Sequence, residues 1–380
     1  MSPWDGLERR IRRELDEIEN AGLRRRLHPP SGIDLSSNDY LLLSQHPLVK
    51  EAMAGAARED GCGSTGSRLL RGERAAFRRV EERFARFKNA EAALYFGSGY
   101  AANLGVLGAF TERTDLVFSD ERNHASILDG IRLGHARRIK FPHRDVSAVA
   151  RLLRSAPREA VKFLVTESVF SMDGDRAPLA EYASIARETD ATLIVDEAHA
   201  VGIYGDRGSG LVEETGIHEA VFLTVNPAGK ALGVAGAFVG GPAWAIDYLV
   251  QRSRSFIFST APPPPVAAAL DASLTIVESE PGRRRDLRRR AELMGNLLAE
   301  AGLAPRTGTQ ITPVILGSNE QAASVAAELQ REGFDVRAIR PPSVPQGSAR
   351  LRVSVNVGLD EQTIGSFAAS LRKTCFAVSS

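Results

Sequence analysis

Between residues 47 and 280, short apolar runs alternate with segments of helical periodicity, and this alternation limits the fold more than any other feature of the chain. The runs are Ala93–Phe96, Leu116–Ser119, Arg138–Phe141, Lys162–Thr166, Thr192–Val195, Val221–Val225 and Ala237–Gly240. Most carry Val, Ile, Leu or Phe at consecutive positions, the pattern of strands covered on both faces. Such an alternation predicts an α/β domain built on a mostly parallel sheet. Ligands of these sheets bind beyond the carboxyl ends of the strands, so chemistry is expected in the residues that follow each run.

The flanking segments read differently. Trp4, Leu7, Ile11, Leu15 and Ile18 recur at steps of three and four, with Arg9, Arg10, Arg12, Arg13 and Glu14 off the stripe. That spacing predicts an amphipathic helix, ended by Pro29, Pro30 and Gly32. After Pro281–Gly282 comes a second helix with the stripe Leu287, Ala291, Met294 and Leu298. A strand over 310–316, a helix over 320–332, strands over 335–339 and 350–355 and a closing helix from Asp360 follow. The expected organisation is an N-terminal helical arm (1–46), a large domain (47–280) and a small α+β domain (281–380).

A formal net charge of +1 gives no field that would draw nucleic acid or an anionic membrane. No run of about 18 apolar residues occurs and the N-terminus lacks an apolar signal core, so a cytoplasmic protein is expected. Cys62 and Cys375 stand far apart, without metal-type spacing, and no metal site is expected.

Three motifs carry candidate chemistry. In Thr192-Leu-Ile-Val-Asp-Glu-Ala-His199 a buried strand delivers Asp196 at its carboxyl end, with His199 three residues later. A carboxylate so placed can hold a ring nitrogen protonated, or can be a plain structural Asp. In Gly229-Lys230-Ala-Leu-Gly233 a lysine lies among glycines, where a planar ligand can approach closely. The pair is not a P-loop, because Ala231 stands where Ser or Thr is required. Gly97-Ser-Gly99-Tyr100 opens a helix whose N–H groups suit a phosphate, and His124 follows another strand. No Gly-x-Gly-x-x-Gly follows the first strand, which argues against a hydride-transferring Rossmann enzyme.

Taken together, these residues resemble the fold-type-I pyridoxal-phosphate enzymes and, within them, the α-oxoamine synthases. The resemblance spans nearly the whole chain. It is densest in Ser37-Asn-Asp-Tyr-Leu, Gly61-Cys-Gly-Ser-Thr-Gly-Ser-Arg, Asn123–Ser126, Thr166-Glu-Ser-Val-Phe-Ser-Met-Asp-Gly-Asp175, Val195-Asp-Glu-Ala-His199, Phe258-Ser-Thr and Ile339–Arg352. It implies a transferase with bound pyridoxal 5'-phosphate that joins an amino acid to an acyl thioester of CoA or a carrier protein. Lys230 would carry the cofactor, Asp196 pair with its ring nitrogen and His199 contact its phenolic oxygen. His124 would stack on the ring, with Ser171 nearby and Gly99 and Tyr100 offering backbone donors to the phosphate. Arg352 would hold the amino-acid carboxylate, and Arg24 matches the position associated with the acyl substrate. Ser259 and Thr260 would reach a partner subunit's phosphate, which implies a homodimer.

The chain departs from that pattern twice. Three residues before the lysine, where the family usually has Thr or Ser, stands Pro227, which has neither hydroxyl nor N–H. Thr224, Asn226 or a water is left to replace the missing phosphate contact. After Arg352 the chain reads Val-Ser-Val-Asn-Val-Gly-Leu, without the His that relatives often carry, a difference that bears on acyl specificity.

Overall fold

The computed structural model describes residues 2–378. Every apolar run of the central region becomes a strand of one seven-stranded sheet. The strands are β1 (Ala92–Phe96), β2 (Leu116–Asp120), β3 (Arg137–Phe141), β4 (Lys162–Glu167), β5 (Ala191–Asp196), β6 (Val221–Pro227) and β7 (Ala237–Gly241). Their order is β1-β7-β6-β5-β4-β2-β3, and β7 alone runs against the others. The parallel members β3, β2, β4, β5 and β6 pair in that order, with one register shift between Leu193 and Ile194.

Continuous Val, Leu, Ile and Phe in these strands serve both faces of the sheet. Phe96, Val117, Phe163, Ile194, Leu223, Val225 and Val239 form one core with Ala102, Val106 and Leu107 of the helix Gly99–Phe110. That helix is apolar nearly all round, as a covered helix is. Its start is set by Ser98, whose Oγ accepts from the Ala101 N–H at 3.1 Å. The connection from β6 to β7 is a short loop rather than a crossover, because antiparallel neighbours need no helix between them.

The chain divides into two compact units: Asn38–Ser171 with Asp175–Arg288, and Met1–Ser37 with Met172–Gly174 and Arg289–Ser380. These limits differ from the expected boundaries at 46 and 280, for reasons visible in the hydrogen bonds. Ile33–Asp34 pairs in parallel with Phe334–Asp335, and the Leu35 carbonyl accepts from the Ser354 N–H at 2.8 Å, which joins the N-terminal arm to the smaller unit. Early in the helix Pro281–Glu300, Arg283 donates to the Leu41 carbonyl at 3.2 Å and Arg288 to the Ile203 carbonyl at 2.9 Å. Those bonds keep the start of the helix with the larger unit.

Within the smaller unit the strand expected over 335–339 is broken in two. Phe334–Asp335 joins Ile33–Asp34, whereas Ala338–Ile339 pairs antiparallel with Arg350 and Leu351. The second sheet is completed by Ala349–Ser354 against Ile311–Gly317. Asp5–Asn20 is a helix, as its spacing predicts, but none of its residues is buried. Among the described residues, no helix is long and apolar enough to cross a membrane.

Candidate active site

Three strand ends of the larger unit bring its polar residues together. β5 ends at Asp196, β4 at Glu167 and β6 at Pro227, and the segments that follow carry His199, Ser171 and Lys230. This is the carboxyl edge of the parallel sheet, where the fold leaves room for ligands.

Lys230 lies in the tight loop between β6 and β7. The Gly233 N–H donates to the Lys230 carbonyl at 2.8 Å, and the Ala228 N–H donates to the Gly236 carbonyl at 2.8 Å. Gly233 has φ +66° and a Cβ there would meet the Ser44 nitrogen at 2.3 Å, so a side chain is excluded on both counts. The loop presents Lys230 Nζ at 3.0 Å from His199 Nε2. The other imidazole nitrogen, Nδ1, lies 2.7 Å from the Tyr40 hydroxyl, which in turn donates to Asn38 Oδ1 at 2.9 Å. Both His199 and Tyr40 are buried, so the chain Lys230–His199–Tyr40–Asn38 orients the lysine from below.

Asp196 is 4% exposed, and both of its oxygens are engaged. Asn103 Nδ2 donates to Oδ2 at 2.7 Å and the Ala198 N–H donates to Oδ1 at 2.9 Å. Bonds donated to both oxygens fix the direction of the carboxyl group. Asn103 also donates to Ser126 Oγ at 2.9 Å, which ties this carboxylate to the segment that carries His124.

His124 caps the helix Ala125–Gly134, its Nδ1 accepting from the Ser126 N–H at 3.3 Å and lying 2.7 Å from Ser126 Oγ. A ring nitrogen that accepts leaves the proton of the neutral imidazole on Nε2. Partial burial holds the imidazolium pKa below its usual value. The Asp196 charge opposes that shift, and Lys230 adds to it. The residue is exposed, and its ring meets Tyr100 edge-on, with centroids 6.3 Å apart. Tyr100 is 42% exposed, and its hydroxyl donates to Asp129 Oδ2.

The N-terminus of the helix Gly99–Phe110 faces the end of β6. Ala101 and Ala102 N–H are taken by Ser98, which leaves those of Gly99 and Tyr100 at the open end. A Cβ on Gly99 would come within 2.5 Å of Pro227 Cγ, so the proline covers one side of this cradle. Thr224 and Asn226 do not replace the hydroxyl that Pro227 lacks. They alternate to the opposite face of β6, where Asn226 Nδ2 donates to Thr224 Oγ1 at 2.9 Å. A primary amine, a buried carboxylate, two imidazoles and a helix N-terminus open to an anion form a donor set that fits pyridoxal 5'-phosphate.

Ser171 is half-buried in the segment after β4, where its backbone N–H serves Glu167, and Ser259 and Thr260 are exposed in the loop before the helix Pro264–Ser279. Arg24 and Arg352 belong to the smaller unit. Arg24 is exposed and sits 3.8 Å from Glu19, whereas Arg352 is buried on the strand Ala349–Ser354 and donates to Ser354 Oγ at 2.8 Å.

Four members of the cluster have no reading of their own in the sequence: Tyr40, Asn103, Ser126 and Glu167. Tyr40, Ser126 and Glu167 lay inside quoted motifs, and Asn103 stands one helical turn beyond Gly99, which was the available signal. Glu167 is 2% exposed, and its Oε1 has no hydrogen-bond partner.

A family model described as aminotransferase class I and II matches residues 30–371. Among curated proteins, the 8-amino-7-oxononanoate synthase of Anaeromyxobacter dehalogenans (strain 2CP-1) is 44% identical over 372 residues, covering 94% of this chain and 93% of its own. The enzyme of the same name from Geobacter sulfurreducens is 41% identical over 383 residues, covering 97% and 98%. Of solved structures, the serine palmitoyltransferase of Sphingomonas wittichii superposes with a TM-score of 0.91 at 28% identity, covering 100% of this chain and 99% of its own. The 8-amino-7-oxononanoate synthase of Francisella tularensis gives a TM-score of 0.80 at 28% identity, covering 92% and 99%.

Proposed function

The chain belongs to the class I and II aminotransferase family and, within it, to the pyridoxal-phosphate-dependent α-oxoamine synthases, and from that premise we propose that it condenses L-alanine with a pimeloyl thioester. The products are 8-amino-7-oxononanoate, CO₂ and the free thiol of CoA or a carrier protein, a step of biotin biosynthesis. The observation that supports this reading best is Lys230 Nζ at 3.0 Å from His199, three residues after a buried Asp196, in a chain 41–44% identical to enzymes of that name over most of its length.

Bound pyridoxal phosphate supplies a sink for the electron pair left on the amino-acid α-carbon. This chain's residues do the rest. Asp196, fixed by Asn103 and the Ala198 N–H, holds the ring nitrogen in its protonated form. Lys230 Nζ would hold the cofactor and, as a neutral amine, would take the α-proton, with His199 and Tyr40 aiming it. His124 would cover the ring face and would offer its Nε2–H to the thioester carbonyl, since Nδ1 is committed to Ser126. Gly99 and Tyr100 N–H groups receive the phosphate. Ser171 adds a polar contact near the ring. Arg352 is assigned the amino-acid carboxylate and Arg24 the acyl substrate. Ser259 and Thr260 serve the phosphate of a partner subunit, so the working form is a cytoplasmic homodimer.

Thiol release from a panel of acyl-CoAs, with L-alanine, glycine and L-serine compared, tests the reading. Release that needs both L-alanine and a pimeloyl thioester is the expected result. The panel includes palmitoyl-CoA with L-serine because of the close backbone match to serine palmitoyltransferase. Glycine-dependent release from acetyl-CoA would instead make the enzyme a glycine C-acetyltransferase. These competitors differ by a methyl or hydroxymethyl group and an acyl tail, differences worth a few kcal/mol.

A further inference from the structure

We propose that Glu167 is a positioning residue kept as an uncharged carboxylic acid, so that Asp196 is the only carboxylate of the cofactor site; the inference rests on the cofactor reading given above. The two residues are register partners at the ends of the parallel strands β4 and β5. Register partners on neighbouring parallel strands lie roughly 5 Å apart and point to the same face. Both are buried, Glu167 at 2% exposure and Asp196 at 4%. A charge on either of two carboxyl groups buried on one face of adjacent strands disfavours a charge on the other.

The hydrogen bonds decide which of them holds the proton. Asp196 receives bonds at both oxygens, from Asn103 and from the Ala198 N–H. Glu167 receives the backbone N–H groups of His124 and Ser171, yet its Oε1 has no partner. A proton on that oxygen breaks no existing bond. Burial first, and the Asp196 charge second, push the Glu167 pKa up to about 8, against the opposing Lys230 charge and the two N–H groups. The titratable groups around it are Asp196 on β5, Lys230 on the β6–β7 loop and the His124 imidazole beyond β2. Asp120, at the end of β2, is committed to His143 and the Arg144 N–H.

The arrangement has a purpose in a site of this chemistry. A neutral acid accepts the His124 and Ser171 N–H groups and so holds the two segments that flank the cofactor. It does this without adding a second negative charge beside the carboxylate that must hold the ring nitrogen protonated. A charged Glu167 would also favour the cationic form of Lys230 and deplete the neutral amine.

The test is ¹³C NMR of the holoenzyme labelled at the glutamate carboxyl carbon, titrated from about pH 6 to about pH 10. One resonance should titrate far above the range of ordinary glutamates and be missing from Glu167→Gln. Glutamate carboxyls that all titrate in the ordinary acidic range would overturn the proposal. Glu167→Gln should load the cofactor and lose the alkaline step in the cofactor's absorbance. Glu167→Ala should lower kcat about tenfold or more, a loss the Gln variant partly rescues. A Glu167→Gln chain unable to load the cofactor would also overturn it, because an uncharged side chain of the same shape must suffice. The titration needs no substrate, so its outcome is independent of which amino acid and thioester the enzyme accepts.

Discussion

Pro227 shows how far one residue reaches at the residue scale. It ends β6, packs over Gly99 and brings neither hydroxyl nor N–H to the helix N-terminus beside it. Pro227→Thr should therefore tighten cofactor binding roughly tenfold, the order of a hydrogen bond to a charged group. Equilibrium dialysis of the apoenzyme against pyridoxal phosphate measures it, and an unchanged Kd would mean that the hydroxyl finds no phosphate. Lys230→Ala should abolish the borohydride-stable cofactor adduct and turnover while leaving the melting temperature of the apoprotein within a few degrees. The lysine and the Asp-x-x-His spacing were legible in the sequence because one chain segment holds each of them. Tyr40 and Asn103 were not, because they meet His199 and Asp196 only through contacts 159 and 93 residues apart in sequence. Glu167 read as one more residue of a strand end until its neighbour on the next strand was known.

Two buried charge clusters brace the carboxyl edge of the sheet at the scale of elements. Lys88, from the helix Ala75–Lys88, donates to Glu197 and, at 2.7 Å, to the Ser209 carbonyl, while Glu197 Oε1 accepts from the Val212 N–H at 3.0 Å. The pair is almost fully enclosed and holds the segment after Asp196. Lys88→Met should cost about 3–5 kcal/mol by leaving a buried carboxylate unpaired, and Glu197→Gln in the same chain should recover part of that loss in urea unfolding. The second cluster places His143 between Asp120 at 3.0 Å and Asp175 at 2.9 Å, with Arg144 also 3.0 Å from Asp175. Burial works against the charged imidazole, but the two carboxylates outweigh it and raise its pKa to about 9. The folded value exceeds the unfolded one, so this stabilisation is complete below about pH 6.5 and fades as pH rises through about 9. His143→Gln should lower stability by roughly 2–3 kcal/mol at pH 6, an upper bound from the size of the shift, and by much less at pH 10. The apolar runs made the strands readable. The split of 335–339 was hidden, because its two halves find partners far away in sequence, at Ile33–Asp34 and at Arg350–Leu351.

At the scale of the whole molecule, the proposed homodimer makes a test that no single chain can pass. A Lys230→Ala chain lacks its amine, and a Ser259→Ala/Thr260→Ala chain lacks the groups assigned to its partner's phosphate. Mixed after unfolding and refolding together, the two should give dimers in which one of the two sites is intact. Activity above that of either variant alone is the expected result, and sites complete within one chain would show none. The helix Asp5–Asn20 bears on the same question. Its Trp4, Leu7, Ile11 and Leu15 are all exposed, and no residue of it is buried. A sixteen-residue helix with no fully buried residue is marginal in water. It is therefore the first segment to melt when nothing covers it, and its Arg9, Arg10, Arg12 and Arg13 are trypsin sites on the same sixteen residues. Tryptic clipping near the N-terminus should therefore be fast in dilute protein, and a rate that falls as concentration rises would mean that association covers the stripe.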